Sequence, residues 1–318
     1  MRLKDIYRII ISEGIKHDPR GIKKVAKELL EKRKEYNKLS SKEKKYFDLD
    51  RLFNPYADSR IVYGDGNRQV RRTLVGIDIN VGEILLADRL NFKNKKIDLC
   101  ISHHPEGKAW ANFYEVMDLQ TDIFSAIGIS TNVADGLLKE KKLEVARKVH
   151  AANHTQTVDA ARLLDMPLLC MHTPSDNQVT FYLKNLFSMK KPKKVKNVID
   201  ILDSILEYQI AKKNNAGPRI IFGDINKKAG KIIVEMTGGT EGPKKILDYY
   251  SSAGVGTIVC MHLSEEHFKQ AKEKNLNIIV AGHIASDNIG MNLLLDAINR
   301  KAKLDVISCS GFTRIKRS

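Results

Sequence analysis

The sequence predicts an α/β fold with a mixed, mostly parallel sheet, flanking helices and a small helical N-terminal module. From residue 73 onward, short apolar runs of strand length alternate with stretches of helical periodicity, which is the pattern of α/β proteins. Before residue 73, apolar residues recur at helical spacing. The chain has 318 residues, enough to bury a sizeable core. We therefore divide it into an N-terminal module, 1–72, and a main α/β domain, 73–318.

Helical spacing defines the N-terminal module. Leu3 and Ile6 begin one helical pattern, and a second pattern covers 22–30. Ser40 stands three residues before Glu43, which is the capping pattern found where a helix begins. Turn signals rich in asparagine, proline and glycine then separate the module from the main domain.

The alternation in the main domain gives each element a position. The predicted strands are 73–79, 98–102, 168–171, 219–222, 231–236, 256–261 and 277–280. The predicted helices are 81–90, an interrupted stretch over 111–164, 198–211, 243–253, 265–274 and a final helix from about residue 286. Because only a glycine-containing turn region separates them, we expect the strands 219–222 and 231–236 to be antiparallel neighbours.

The net charge of +16 is concentrated towards the N-terminus. Residues 1–72 hold 20 Lys and Arg against 11 Asp and Glu, which accounts for +9 of the excess. Such a surface attracts nucleic acid or anionic substrates. However, the lysines lack interleaved aromatic residues, and no recognition-helix signature is present. We therefore interpret the module as a packing or oligomerisation appendage, with nucleic-acid binding as the alternative.

Membrane insertion and secretion are not expected. No apolar run approaches the roughly 20 residues that span a bilayer. The charged N-terminus is not followed by the apolar region of a signal peptide. The four cysteines lie in apolar runs and none is spaced Cys-x-x-Cys, which predicts reduced thiols in a cytoplasmic protein.

Two apolar runs that end in histidine predict a metal site. His103 and His104 follow the strand 98–102, and His283 follows the strand 277–280. Open α/β sheets build their sites at the carboxyl ends of strands, and neutral imidazole is the commonest ligand for transition metals. Consecutive strand residues point to opposite faces. His103 and His104 therefore share one centre only if the strand has ended, or they serve two metals of a close pair. Exposed or capping histidines are the alternative.

Two carboxylates complete the candidate site. Asp287 stands four residues after His283, which places both side chains on one face if a helix begins there. His172 and Asp176 follow the strand 168–171. Asp176 has two oxygens and would be able to bridge two cations, while His172 is either a further ligand or a group that contacts substrate. The alternatives are an ordinary first-turn acid for Asp287 and an ordinary loop histidine for His172.

A mixed set of histidine nitrogens and carboxylate oxygens suits zinc, iron, manganese or nickel better than calcium. Two divalent cations roughly 3.5–4 Å apart lower the pKa of bound water and generate a nucleophile near neutral pH. Hydrolysis of a phosphoester, an amide or a purine-ring bond would be accessible, and the ligands do not choose among these reactions.

A glycine-rich loop, 237–243, joins a predicted strand to a predicted helix. Backbone amides of such a loop would be able to cradle a phosphate. The Gly-Lys-Ser/Thr ending of a P-loop is absent, so we interpret the loop as a tight turn required by packing. His262 and His267 have no carboxylate at ligand spacing in the sequence and are the next candidates for the pocket. Trp110 either borders the pocket or packs in the core.

Four motifs in this order resemble the Ngg-interacting-factor-three-like (NIF3-like) family over about residues 73–318. They are Gly76-Ile77-Asp78-Ile79, Ser102-His103-His104-Pro105, His172-Thr173-x-x-Asp176 and Gly282-His283-x-x-Ser286-Asp287. Members of the family are often named type 2 GTP cyclohydrolase I, and they form ring-shaped homohexamers of α/β fold around a dinuclear metal centre. The resemblance implies five metal ligands, with His172 lining the pocket as the candidate catalytic group. The implied ligands are His103, His104, Asp176, His283 and Asp287. The family usually has glutamate in place of Asp287.

The sequence thus predicts a divalent-metal-dependent, hydrolase-like protein with a dinuclear site. Its substrate would be a nucleotide or another phosphorylated, anionic compound. Enzymatic activity stays open, because the main alternative is a non-enzymatic, metal-binding oligomeric scaffold or regulator. Such a protein would bind nucleic acid or protein through the basic N-terminal module. A phosphoesterase of the Asp-His-His type is less well supported, because Ser102 occupies the place of its aspartate.

Overall fold

Two mixed sheets organise the fold, which a computed structural model describes for residues 1–317. The strands in that range are β1 (Ile61–Tyr63), β2 (Arg72–Gly76), β3 (Leu99–Ser102), β4 (Leu168–Cys170), β5 (Arg219–Phe222), β6 (Lys231–Glu235), β7 (Val255–Cys260), β8 (Asn277–Val280) and β9 (Asp305–Ser308). The helices are α1 (Leu3–Lys16), α2 (Ile22–Lys38), α3 (Ser41–Lys44), α4 (Val81–Phe92), α5 (Gly107–Ala111), α6 (Asp118–Ile127), α7 (Thr131–His150), α8 (Gln156–Leu163), α9 (His172–Lys190), α10 (Val195–Asp203), α11 (Leu206–Lys213), α12 (Ile246–Ser252), α13 (Glu265–Glu273) and α14 (His283–Asn299). Short 3₁₀ helices cover Leu49–Leu52 and Phe113–Met117. Among the helices of residues 1–317, none is both long and apolar enough to cross a membrane.

Each sheet is parallel except at one edge. The five-stranded sheet has the order β1-β4-β3-β2-β9, and the four-stranded sheet has the order β5-β8-β7-β6. The edge strands β1 and β5 are antiparallel to their neighbours, and the other pairs are parallel. The carboxyl ends of the parallel strands therefore meet at one edge of each sheet. The predicted α/β class, with mostly parallel strands and a helical N-terminal region, is confirmed.

The predicted pairing of 219–222 with 231–236 is wrong. These strands, β5 and β6, lie at opposite edges of the four-stranded sheet and are separated by β8 and β7. The strands β7 and β8 are almost entirely buried, whereas β5 is partly exposed and suits an edge. Turn residues indicate that the chain reverses, but burial decides which strand becomes the partner.

The N-terminal helix α1 packs in the core beside the five-stranded sheet. Leu3, Ile6 and Ile10 are fully buried in one hydrophobic cluster with Leu169 of β4 and Leu294 of α14. The strand β1, which also precedes residue 72, forms an edge of the same sheet. The basic helix α2 differs, because Val25 alone is buried along its length. A domain boundary at residue 72 stays a prediction, and α1 and β1 pack directly against the residues that follow it.

Helices α9 and α14 cross closely, and their crossing positions the candidate site. The strand β4 leads into α9, and β8 leads into α14. The crossing requires a glycine, because a Cβ on Gly290 of α14 would lie 2.2 Å from the backbone oxygen of Ser175 of α9. With glycine at this position, the backbones approach to a distance that no other residue permits.

Candidate metal centre

Two strand-to-helix connections deliver the same short motif to the site. His172 begins α9 and Asp176 follows one turn later, while His283 begins α14 and Asp287 follows one turn later. Both segments read His-x-x-Ser-Asp, and residues four apart lie on one face of a helix. Because α9 and α14 cross, the two histidine–aspartate faces meet.

The sequence predicted no helix at 172–190, and it placed the start of the final helix too late in the chain. His172, for which an ordinary loop histidine was the alternative, is the first residue of α9. The final helix, expected from about residue 286, begins at His283. Gly282 has a φ of 105°, a left-handed conformation that favours glycine, and this turns the chain from β8 directly into α14. Ser286 lies in the first turn of α14, and its hydroxyl donates to the carbonyl of Gly282 at 2.6 Å.

His103 and His104 lie just past the end of β3 and belong to the same cluster. Their backbone N–H groups donate to the carbonyls of Gly76 and Ile77 at 3.1 and 3.0 Å. The side chain of His103 is fully buried, and that of His104 is 29% exposed. Their ring centroids lie 5.1 Å apart. A regular strand would send the two side chains to opposite faces, so both reach one cluster only because the strand has ended.

The distances within the cluster suit pairs of ligand atoms on one cation. Nε2 of His103 lies 3.4 Å from Oδ1 of Asp287 and 3.5 Å from Oδ1 of Asp176. The other carboxylate oxygen, Oδ2 of Asp287, lies 3.5 Å from Nε2 of His283 and 3.7 Å from Nε2 of His104. These separations are long for hydrogen bonds. Two ligand atoms, each about 2.1 Å from one tetrahedral ion, lie about 3.4 Å apart.

The ligand atoms fall into overlapping groups whose members all lie within 4.8 Å of one another. The groups are His103, Asp176 and Asp287; His104, His283 and Asp287; and His103, His104 and His172. Asp287 presents Oδ1 to the first group and Oδ2 to the second. The carboxylate shared between two groups is therefore Asp287, whereas the sequence suggested Asp176 for that role.

Several buried polar atoms of the cluster have no hydrogen-bond partner among residues 1–317. They are Nδ1 and Nε2 of His103, Oδ1 of Asp176 and both carboxylate oxygens of Asp287. Leaving a buried donor or acceptor unsatisfied costs about 1–3 kcal/mol per group. A divalent cation would satisfy Nε2 of His103 and the carboxylate oxygens together. The residues therefore fit a metal.

Burial also favours the protonation state that metal binding requires at the histidines. It lowers the pKa of His103 to about 4 and lowers the pKa of His283, so both imidazoles are neutral at pH 7. Burial raises the pKa of the Asp176 carboxyl well above its usual range. A nearby cation would oppose that effect, because it favours the carboxylate.

Two further aspartates orient histidines of the cluster, and the sequence assigned a role to neither. Asp78 accepts a hydrogen bond from Nδ1 of His104 at 2.6 Å, and Asp58 accepts one from Nδ1 of His172 at 2.7 Å. Carboxylates commonly fix metal-binding histidines in this way, with the other ring nitrogen turned to the metal. Asp78 follows β2 at the carboxyl edge of its sheet, which is a signal for a site residue. Asp58 precedes β1 and shows no such signal.

A cavity of about 530 Å³ opens onto the histidine cluster. Phe113 packs against His172 with ring centroids 5.4 Å apart, and Trp110 stacks on Phe113 at the same separation. Trp110 therefore borders the pocket. The glycine-rich loop forms another part of the wall, and no lysine or arginine of residues 1–317 lines the cavity.

His262 and His267 have a carboxylate partner that sequence spacing did not reveal. Oε1 of Glu241 lies 3.4 Å from Nδ1 of His262, and Oε2 lies 3.2 Å from Nδ1 of His267. Glu241 belongs to the glycine-rich loop, so the partner comes from a distant part of the chain. The ring of His262 lies 5.1 Å from that of His283, which places it at the edge of the metal cluster.

Solved structures similar to this chain include proteins of the NIF3 superfamily. The NIF3 superfamily protein from Sphaerobacter thermophilus is 28% identical, with a TM-score of 0.70 over 80% of this chain and 92% of that protein. Reduced HcgD from Methanocaldococcus jannaschii is 15% identical, with a TM-score of 0.49 over 78% of this chain and 87% of that protein. The Bacillus cereus protein related to NIF3 is 12% identical, with a TM-score of 0.40 over 79% and 91%. No protein-family model and no curated protein matches the chain. Of these three structures, the Sphaerobacter protein alone has a TM-score above 0.5, so the comparison depends on it.

Proposed function

Because this chain belongs to the NIF3-like family, we propose that it is a divalent-metal-dependent hydrolase whose dinuclear centre activates water. One observation carries the proposal. Two groups of three candidate ligands share the carboxylate of Asp287, and buried atoms in that cluster have no other partner among residues 1–317. A shared carboxylate is how a protein holds two cations close together.

Each cation would have its own set of residues. His103, Asp176 and Oδ1 of Asp287 would hold one, while His104, His283 and Oδ2 of Asp287 would hold the other. Zinc, iron, manganese and nickel all accept such nitrogen and oxygen donors. Two divalent cations, when bound, supply Lewis acidity and lower the pKa of a water molecule.

His172 is the residue we propose as the proton donor. Nδ1 is bound by Asp58, which leaves Nε2 for the cavity. Burial opposes the charged imidazole, but the charge of Asp176 and the hydrogen bond to Asp58 raise the pKa of His172 to about 9 when no cation is bound. When Asp176 holds a cation, its charge no longer contributes fully, and the hydrogen bond to Asp58 is the contribution that stays. A protonated imidazole at neutral pH is suited to protonate a leaving group as a bond is cleaved.

An anionic group on the substrate would be held by the cations themselves. No lysine or arginine of residues 1–317 lines the cavity, so the chain offers no cationic side chain there for a phosphate. A nucleotide or another phosphorylated compound remains the proposed substrate class, with its phosphoryl oxygens at the metal cluster. From the family alone, we further propose a homohexameric assembly in the cytoplasm.

Elemental analysis and a hydrolysis assay test this function. We expect about two metal ions per purified chain and loss of metal in His104→Ala. His150→Ala is the matched control, because His150 is exposed at the end of α7, outside the cluster. Wild-type protein should cleave members of a nucleotide and phosphodiester panel only with metal present.

Protein without stoichiometric metal, and unchanged by His104→Ala in metal content and stability, would refute the metal centre. Bound metal without turnover on the panel would favour the non-enzymatic scaffold. That alternative also predicts nucleic-acid binding that weakens with added salt.

A further inference from the structure

The cavity extends beyond the histidine cluster into a second region, which we call the acceptor pocket. Its residues are Gln120, Phe124, Glu235, Gly242 and Tyr250, and all of them line the same cavity. The rings of Phe124 and Tyr250 meet edge to face, with centroids 6.0 Å apart. The acceptor pocket therefore combines an aromatic wall with a carboxylate and a carboxamide, and it contains no cationic side chain.

Glu235 is a carboxylate with too few partners. It ends β6, and one of its oxygens, Oε1, accepts a hydrogen bond from the hydroxyl of Tyr250. Among residues 1–317, this is the one hydrogen bond found for the Glu235 side chain, and Oε2 accepts none. Burial raises the pKa of Glu235 to about 6, so the group is still ionised above pH 7. A partly buried carboxylate with one neutral donor is poorly compensated and would favour a cation or N–H donors.

Gln120 adds a second acceptor whose orientation is fixed. Its Nε2 donates to the carbonyls of Gly238 at 2.7 Å and Thr240 at 2.8 Å. Those two bonds identify the nitrogen end of the amide, and Oε1 must therefore be the remaining acceptor. The residue is 3% exposed, and Oε1 has no hydrogen-bond partner among residues 1–317.

Gly242 keeps space open beside these groups. A Cβ at this position would lie 3.1 Å from Cζ of Phe124 and 3.2 Å from Oε1 of Gln120. Both contacts are tighter than ordinary packing, so a larger residue would close the space between the ring and the amide. The glycine-rich loop thus shapes the acceptor pocket as well as turning the chain.

We propose that the acceptor pocket binds a planar, cationic nitrogen group with paired N–H donors, of the amidinium or protonated amino-heterocycle class. A carboxylate accepts two parallel N–H bonds from such a group, and an aromatic wall stabilises a planar cation. The group would be a non-reacting part of the substrate, which the pocket holds while another part lies at the metal cluster. In that respect the inference rests on the proposed function, although binding itself requires no turnover.

Benzamidine is the probe, titrated by calorimetry into the metal-loaded wild-type protein at about pH 7.5, where Glu235 is ionised. We expect binding of benzamidine, and binding of neutral benzamide weaker by about tenfold or more. Glu235→Gln keeps an acceptor for Tyr250 but removes the charge, and it should weaken benzamidine binding by about tenfold. Glu265→Gln is the matched control, because Glu265 is exposed on α13, and binding should stay unchanged.

Gly242→Ala provides a test that leaves every charge in place. It should weaken benzamidine binding because the added methyl fills the space between Phe124 and Gln120. If wild-type protein binds neither probe, or binds both equally, the inference is wrong. It is also wrong if benzamidine binds Glu235→Gln as tightly as it binds wild type. If Glu235→Gln does not fold, the same criterion applies to Gly242→Ala.

Metal content separates this inference from the proposed function. Glu235→Gln should retain the wild-type metal content, since Glu235 belongs to none of the ligand groups. Glu235-dependent benzamidine binding by a protein that holds no metal would overturn the hydrolase and leave the acceptor pocket standing. A metal-loaded, active protein that does not bind benzamidine would support the hydrolase and overturn the acceptor pocket.

Discussion

Among residues 1–317, Asp78 is hydrogen-bonded to one candidate ligand, His104, and its removal tests whether that ligand must be oriented. Asp78→Ala removes the carboxylate that accepts from Nδ1 of His104 at 2.6 Å. We expect metal affinity to fall by about tenfold while the fold is retained. Asp78→Asn should cost roughly half as much in free energy, because the amide oxygen still accepts the bond without a charge.

The magnitude follows from the exposure of the pair. A hydrogen bond to a charged group contributes about 1.5–3 kcal/mol, and a neutral one about 1 kcal/mol. The side chain of Asp78 is 49% exposed, so water would replace part of the lost interaction and the lower end applies. About 1.4 kcal/mol corresponds to the tenfold change. Loss of orienting partners at metal sites typically costs 10- to 100-fold in affinity.

Competition against a fluorescent zinc chelator measures this affinity directly, and urea denaturation of the metal-free proteins reports stability. Asp88→Ala is the matched control, because Asp88 is an exposed aspartate on the neighbouring helix α4. The reasoning fails if folded Asp78→Ala holds zinc with wild-type affinity. It also fails if Asp88→Ala weakens binding as much.

Three further predictions concern the turnover rate, the stability of the helix contact and the pH dependence of stability. Asp58→Asn should lower turnover by about tenfold or more with metal content intact, because it removes the charge that positions His172; parallel rate and metal measurements check this. Gly290→Ala should destabilise the protein by about 3 kcal/mol, measured in urea, because its methyl meets the backbone of Ser175. The pKa of Glu235 is raised to about 6 in the fold, so its stabilising contribution is complete below about pH 4.5 and lost as pH rises through 6. Up to about 2 kcal/mol of unfolding free energy should disappear over that range in wild type, but not in Glu235→Gln.

The α/β class was predictable because strand length and helical periodicity are local properties of the sequence. Strand partners were not, as β5 shows: the turn after it suggested β6, but it pairs with β8. The short strands β1 and β9 also escaped prediction. β1 has three residues and β9 has four, and none of them is fully buried.

The candidate ligands were predictable because each follows an apolar strand, and the structure brings His103, His104 and Asp287 into one cluster. Whether they bind metal stays a prediction. Of the residues that contact these histidines, Asp78 carried a signal because it follows a strand, whereas Asp58 and Glu241 were not predictable because other parts of the chain supply them. Periodicity and spacing describe neighbours in sequence and carry no information on such contacts.

The repeated His-x-x-Ser-Asp motif connects the fold to the short side chain of Asp287. An aspartate is one methylene shorter than a glutamate, so Asp287 requires the helix backbone to lie close to the cluster. Gly290 permits that approach, since α14 meets the backbone of α9 at a distance that excludes any Cβ. Both oxygens of Asp287 then come within 3.7 Å of a histidine nitrogen. We infer that aspartate at 287 and glycine at 290 depend on each other, and that the helix crossing compensates for the shorter side chain.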